Sequence, residues 1–206
     1  MNKRKDITII DYDAGNIFNI VSTLKKLNVK LHVTKNPKNI VGAEKIIIPG
    51  VGAFKEGIKS LKKRKLFYPL KEFLSSEKPM LGICLGMQYF MDVSYEFKKT
   101  SGLNYFDGNV IKFDQNKVRR LPHIGWNYIK TTKNKIFKNI KSDSTFYFCH
   151  SYYTKPNNKK YIIGKTNYNK IEFCSVINKK NIYGCQFHPE RSADAGFQFL
   201  KNFINL

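Results

Sequence analysis

An α/β fold, of the kind with a mostly parallel central sheet and flanking helices, is predicted by three observations on this chain. Strand-like and helix-like segments alternate through its first half. An apolar run ends in a cysteine set between two glycines. Beyond Asp107 the pattern changes to closely spaced, hairpin-like strands. Such alternation lays strands side by side in parallel with helices on both faces, and reactive groups then gather at the carboxyl ends of the strands.

The elements run in order along the chain. Ile7-Thr8-Ile9-Ile10 is an unbroken β-branched run and reads as a buried first strand, with Asp11 to Asn16 as the loop after it. Ile17, Ile20, Val21, Leu24 and Leu27 recur at helical spacing. Leu31 to Val33 makes a second strand, and Lys45 to Pro49 a third that ends in the turn Gly50-Val51-Gly52. Helical spacing resumes from Phe54 to Leu61. Pro79 to Ile83 is the fourth strand, and Leu85 to Met91 the helix after it. The smaller antiparallel region of the second half takes its strands from Val110 to Phe113, Gly125 to Ile129, Thr145 to Cys149, Tyr161 to Thr166, Ile171 to Ile177 and Ile182 to Phe187. A helix from Ala195 to Ile204 closes the chain. Without an internal repeat or a linker, residues 1–206 read as one domain.

Composition excludes several classes. A chain of 206 residues with 42% hydrophobic and 14% aromatic content can bury a full core and is not disordered. No apolar run reaches the length of a membrane span. The basic start Met1-Asn2-Lys3-Arg4-Lys5 is followed only by Ile7 to Ile10 before Asp11, too short for a signal-peptide core, so a cytoplasmic protein is expected. Cys84, Cys149, Cys174 and Cys185 show no metal-ligand spacing, and neither a metal nor a cofactor is expected. The last three lie in apolar, strand-like surroundings and are expected to be buried. The formal net charge of +22 raises the question of nucleic acid. Its lysines are scattered rather than gathered in a stripe, and no helix-turn-helix, zinc-finger or RNA-recognition signature is present, so nucleic-acid binding is not expected.

The chemistry centres on Met80-Leu81-Gly82-Ile83-Cys84-Leu85-Gly86-Met87-Gln88. An apolar run ending in Gly-x-Cys-x-Gly is the sulfur version of the nucleophile elbow, a sharp strand-to-helix turn that lifts a side chain above the sheet. The positive end of the following helix favours a thiolate there. Alone, the pattern also suits a small buried cysteine. Phe187-His188-Pro189-Glu190 decides between them. His188 and Glu190 lie two apart, so on an extended segment both point to one side, and Pro189 biases His188 toward extended geometry. A thiol nucleophile needs a histidine to carry its proton and a carboxylate to hold that ring. Gly50-Val51-Gly52, at the end of a neighbouring strand, places backbone N–H groups beside the elbow, and an attacked carbonyl oxygen would sit between the N–H groups of Val51 and Leu85.

These segments resemble the class I (triad) glutamine amidotransferases over essentially the whole chain. Asp11-Tyr12 with Gly15-Asn16, Pro49 to Phe54, Pro122-His123-Ile124-Gly125-Trp126-Asn127, and Phe148 with His150-Ser151-Tyr152 narrow the resemblance to the glutaminase subunits of imidazole glycerol phosphate synthase. The resemblance implies hydrolysis of L-glutamine through a Cys84 thioester, with His188 as acid/base and Glu190 as its orienter. It also implies delivery of ammonia to a β/α-barrel cyclase subunit, the partner in a heterodimer of histidine biosynthesis. Gly52, Gln88, Glu96, Ser151 and Tyr152 would bind glutamine, and Trp126, Pro122, His123 and Asn16 would face the partner. Asp13, where the family favours glycine, and Arg191, where it favours lysine, depart from the pattern and leave the identity of the partner open. A paralogue feeding ammonia to a polysaccharide-amidating enzyme is one alternative, and a stand-alone cysteine hydrolase such as a γ-glutamyl hydrolase is another.

Overall fold

A computed structural model describes residues 5–14 and 17–206. The first half alternates as expected: β1 (Asp6–Ile10), α1 (Ile17–Lys25), β2 (Lys30–Thr34), α2 (Lys38–Val41), β3 (Ile46–Ile48), α3 (Phe54–Lys63), α4 (Phe67–Ser75) and β4 (Met80–Ile83). A one-turn helix α5 (Leu85–Gln88) leads into β5 (Met91–Ser94), β6 (Thr100–Ser101), β7 (Phe106–Lys112), β8 (His123–Tyr128), β9 (Lys130–Thr131), β10 (Thr145–His150), β11 (Tyr152–Pro156), β12 (Ile162–Tyr168), β13 (Ile171–Lys179), β14 (Ile182–Cys185) and α6 (Ala193–Ile204).

The main sheet runs β2-β1-β3-β4-β14-β13-β12-β9. It is parallel from β2 to β14 and antiparallel beyond. Strands β3, β4 and β14 are buried along their full length, which is why they read as continuous apolar runs rather than as alternating ones. Alternate residues serve opposite faces. Ile46, Ile48 and Met80 pack with Phe54, Leu61 and Leu70 of α3 and α4. Ile47, Leu81 and Ile83 pack with Leu24 of α1 and with Phe199 and Phe203 of α6. A four-stranded sheet, β11-β7-β5-β6, and a β8–β10 hairpin-like pair sit beside this layer. Among the described residues no helix is long and apolar enough to cross a membrane.

One expected element is shorter than its sequence suggests. The helix after Cys84 stops at Gln88 instead of reaching Met91, and later chain pairs with the backbone of residues 89 to 91. Leu103 N–H donates to Tyr89 O at 2.7 Å, Tyr105 N–H to Phe90 O at 2.9 Å and Asn104 N–H to Met91 O at 3.3 Å. Met91–Ser94 therefore becomes a strand. Both elbow glycines are required by close approach. A Cβ on Gly82 would lie 2.6 Å from the Gly86 backbone, and one on Gly86 would overlap the Ile48 carbonyl oxygen of the adjacent strand. Gly86→Ala is accordingly expected to cost about 1–3 kcal/mol, the usual range for overpacking a close-packed interior. Urea denaturation would read this as a lower midpoint at unchanged slope, and an unchanged midpoint would refute the steric account.

Candidate active site

Three neighbouring parallel strands end together. Ile48 of β3 pairs with Gly82, and Ile83 of β4 pairs with Cys185 of β14. The segments after these strands are thereby brought to one edge: the Pro49 to Gly52 turn, Cys84, and the stretch from Gln186 to Glu190. Cys84 takes φ 52° and ψ −107°, a strained conformation for a non-glycine residue, and its N–H donates to Cys185 O at 2.7 Å. The residue is 6% exposed. This is the turn expected of an elbow.

His188 lies just beyond β14, its N–H donating to Tyr147 O at 2.9 Å. Its Nδ1 is 2.9 Å from Glu190 Oε1, and both side chains are nearly inaccessible. Burial works to lower the pKa of His188. The Cys84 thiolate and its hydrogen bond, followed by the hydrogen bond and charge of Glu190, outweigh burial and raise it to about 11. The arrangement thus holds an imidazolium opposite sulfur and a carboxylate. Ser192 clamps the turn, its Oγ–H donating to His188 O at 2.6 Å while Oγ accepts the Tyr147 N–H at 3.0 Å.

A cleft of about 630 Å³ opens over these groups. It is lined by Cys84, His188 and Glu190 together with Val51, Gly52, Leu85, Gln88, Glu96, Ser151 and Tyr152. Every residue expected to catalyse or to bind glutamine therefore meets in one cavity. Glu96 is half-buried there, accepting the Phe54 N–H at 2.6 Å. Burial raises its pKa against the opposing effect of that bond. Of the two backbone donors expected for an oxyanion, Leu85 N–H is turned to the Gly50 carbonyl at 3.4 Å.

The expected partner surface divides. Trp126 is 53% exposed on β8, flanked by exposed Ile124 and Tyr128, and Pro122 is exposed at the rim of the cleft. His123 is corrected: it is 2% exposed, stacked on Tyr168 at 4.0 Å and on Phe148 at 4.9 Å. Side chains on a strand alternate, so a face that exposes residues 124, 126 and 128 turns His123 inward. Asn16 lies outside the described residues. Cys149 is also corrected. The same alternation on β10 buries Phe146, Phe148 and His150, and leaves Cys149 exposed in the cleft wall.

Sequence reasoning assigned nothing to His150 or Gln186. His150 is buried, and its Nδ1 lies 2.8 Å from Tyr152 O. A carbonyl only accepts, so Nδ1 carries the proton and Nε2 accepts from His123 Nδ1–H at 3.1 Å. Both imidazoles are then neutral. Burial lowers the pKa of His123 to about 4. For His150, burial first and then the charge of His123 lower it to about 3. Between pH 6.5 and about 4 the unfolded chain binds protons that these native rings refuse, so stability falls as pH falls through that window. The urea midpoint of His150→Gln is expected to decline less steeply than wild type from pH 6.5 to 4, and parallel declines would refute the assignment.

Fold and site together define a class I glutamine amidotransferase. The family model described as glutamine amidotransferase class-I matches residues 8–206. The imidazole glycerol phosphate synthase subunit HisH of Pelagibacter ubique is 42% identical over 98% of this chain and 100% of its own length. HisH 1 of Campylobacter jejuni is 39% identical, covering 97% and 100%. The chain belongs, within that class, to the HisH subunits of imidazole glycerol phosphate synthase. Solved structures share the fold at low identity. The PurLQS structure from Thermotoga maritima has a TM-score of 0.76 at 15% identity, over 98% of this chain and 99% of that one. A glutamine amidotransferase from the same organism has 0.64 at 18%, over 99% and 84%.

Proposed function

We propose that this chain hydrolyses glutamine at Cys84 and passes the ammonia to a β/α-barrel cyclase subunit that makes imidazole glycerol phosphate in histidine biosynthesis. The observation that carries the reading is the convergence of Cys84 and the His188–Glu190 pair in one cleft with Gln88, Glu96 and the Ser151-Tyr152 backbone. The Cys84 thiolate attacks the side-chain amide carbon of glutamine, and the N–H groups of Val51 and Leu85 receive the oxyanion. His188 gives its proton to the departing nitrogen, which leaves as ammonia, and a γ-glutamyl thioester remains on sulfur. His188 then takes a proton from water, the resulting hydroxide opens the thioester, and glutamate leaves. Glu96 meets the α-ammonium and the Ser151-Tyr152 backbone the α-carboxylate.

The test supplies the complex of this chain and its cyclase with glutamine labelled with ¹⁵N in the side-chain amide, against an excess of unlabelled ammonium. Label is expected in the new imidazole ring. Product formed without label would overturn direct delivery, and a lack of glutamate release would overturn the glutaminase reading.

A further inference from the structure

Gln186 is fully buried one residue beyond β14, its N–H donating to Ser175 O at 2.8 Å. Its side chain touches the nucleophile: Nε2 is 3.5 Å from Cys84 Sγ. The polarity of that contact is fixed by a chain of partners. Gln88 faces the Tyr152 carbonyl at 3.1 Å, and a carbonyl only accepts, so the Gln88 atom there is Nε2. The same Nε2 lies 3.1 Å from one arm of the Gln186 amide, and an NH₂ only donates, so that arm is Oε1. The remaining arm of Gln186, the NH₂, is the one aimed at sulfur. A backbone carbonyl thus sets the direction of two side-chain amides in turn.

We infer that Gln186 is a thiolate-holding residue, its Nε2–H fixing the Cys84 sulfur in its charged form and aiming it into the cleft, with Gln88 locking the amide against rotation. The inference rests on the reading of Cys84 as nucleophile. A hydrogen bond to a charged acceptor is about twice as strong as one between neutral groups. When sulfur becomes a thioester its charge is gone and the bond weakens, so the contact favours the resting thiolate without holding the intermediate. The titratable groups facing Cys84 are His188 after β14, Tyr12 after β1, Tyr89 after α5 and Cys185 at the end of β14. All four stay in place in the variants below.

The test follows iodoacetamide alkylation of Cys84 in the full chain from pH 5 to 10, read by mass spectrometry on the Cys84 peptide so that exposed Cys149 does not contribute. Gln186→Met keeps the length and removes the donor. Its alkylation rate at pH 7 is expected to fall about tenfold, recovering at high pH, as loss of one charge-assisted hydrogen bond requires. Gln186→Glu sets a carboxylate against sulfur and is expected to fall further. A residue that merely fills space would leave the pH profile unmoved, so profiles superimposed on wild type would overturn the inference. Where a variant fails to fold, the side-chain NH₂ resonances of Gln186 in the folded chain serve instead. They are expected to move in Cys84→Ala, and unmoved resonances would overturn the inference. Alkylation needs no glutamine, so a failed glutaminase reading shows itself separately, as a wild-type complex that releases no glutamate.

Discussion

Cys84→Ala is expected to abolish ammonia release from glutamine while synthesis of imidazole glycerol phosphate from added ammonium continues in the complex. The alanine removes the sulfur placed opposite the His188–Glu190 pair. Cys149 lines the same cavity from the exposed side of β10. The cyclase chemistry belongs to the other subunit, so supplying its ammonia directly bypasses the loss. His188→Ala removes the proton carrier and is expected to lower glutamine turnover by about 10²–10⁴, the range for a positioned acid/base. The elevated pKa of about 11 adds to this, because the imidazolium is also the counter-charge of the thiolate. Residual glutamine hydrolysis in Cys84→Ala at more than a trace of the wild-type rate would end the assignment.

The pattern of what the sequence revealed is itself physical. Strands β1, β3 and β4 were legible because burial on both faces demands unbroken apolar runs. The elbow was legible because two glycines must flank a turn against which another strand packs so closely. Helix α5 was overextended because Leu85 to Met91 is helix-compatible and apolar apart from Gln88, and nothing local says that the N–H groups of residues 103 to 106 will bond the carbonyls of residues 89 to 91. His123 was misplaced for a similar reason. A motif gives identity but not parity, and only the pairing of β8 with β10 fixes which alternate residues face inward. Gln186 was invisible because its meaning depends on Gln88 and on the Tyr152 carbonyl, which come from separate elements.

Glutaminase turnover is expected to rise at least a hundredfold when the cyclase and its nucleotide are both bound, and Trp126→Ala is expected to blunt that rise. The resting backbone supplies the reason. Leu85 N–H is engaged by the Gly50 carbonyl at 3.4 Å, so one of the two donors proposed for the oxyanion is already occupied. A missing oxyanion donor costs about 10²–10³ in rate, roughly 2.7–4 kcal/mol. Rotation of the Gly50–Val51 peptide would free Leu85 and aim Val51 N–H inward; the change falls on ψ of Gly50 and φ of Val51, with Gly50 free to adopt it and Gly52 next in the turn to compensate. Gly52 already sits at φ 94°, where other residues are strained. The partner must bind the rotated state more tightly by the same energy, since a ligand shifts an equilibrium only by its differential affinity. Trp126 is placed to report that contact. It is exposed on β8, pairs across the ladder with Tyr147 and meets the Tyr147 ring at 6.0 Å. Tyr147 in turn accepts the His188 N–H through its carbonyl and donates its own N–H to Ser192. A partner pressing on Trp126 therefore acts on β10, the strand hydrogen-bonded to the His188 turn, on the far side of sulfur from Gly50. Steady-state ammonia release, measured for the free chain, the complex and the nucleotide-loaded complex, decides the matter. Equal rates in all three would sink the coupling. An unaltered hundredfold response in Trp126→Ala would instead move its route away from β8 and toward the loop after β1.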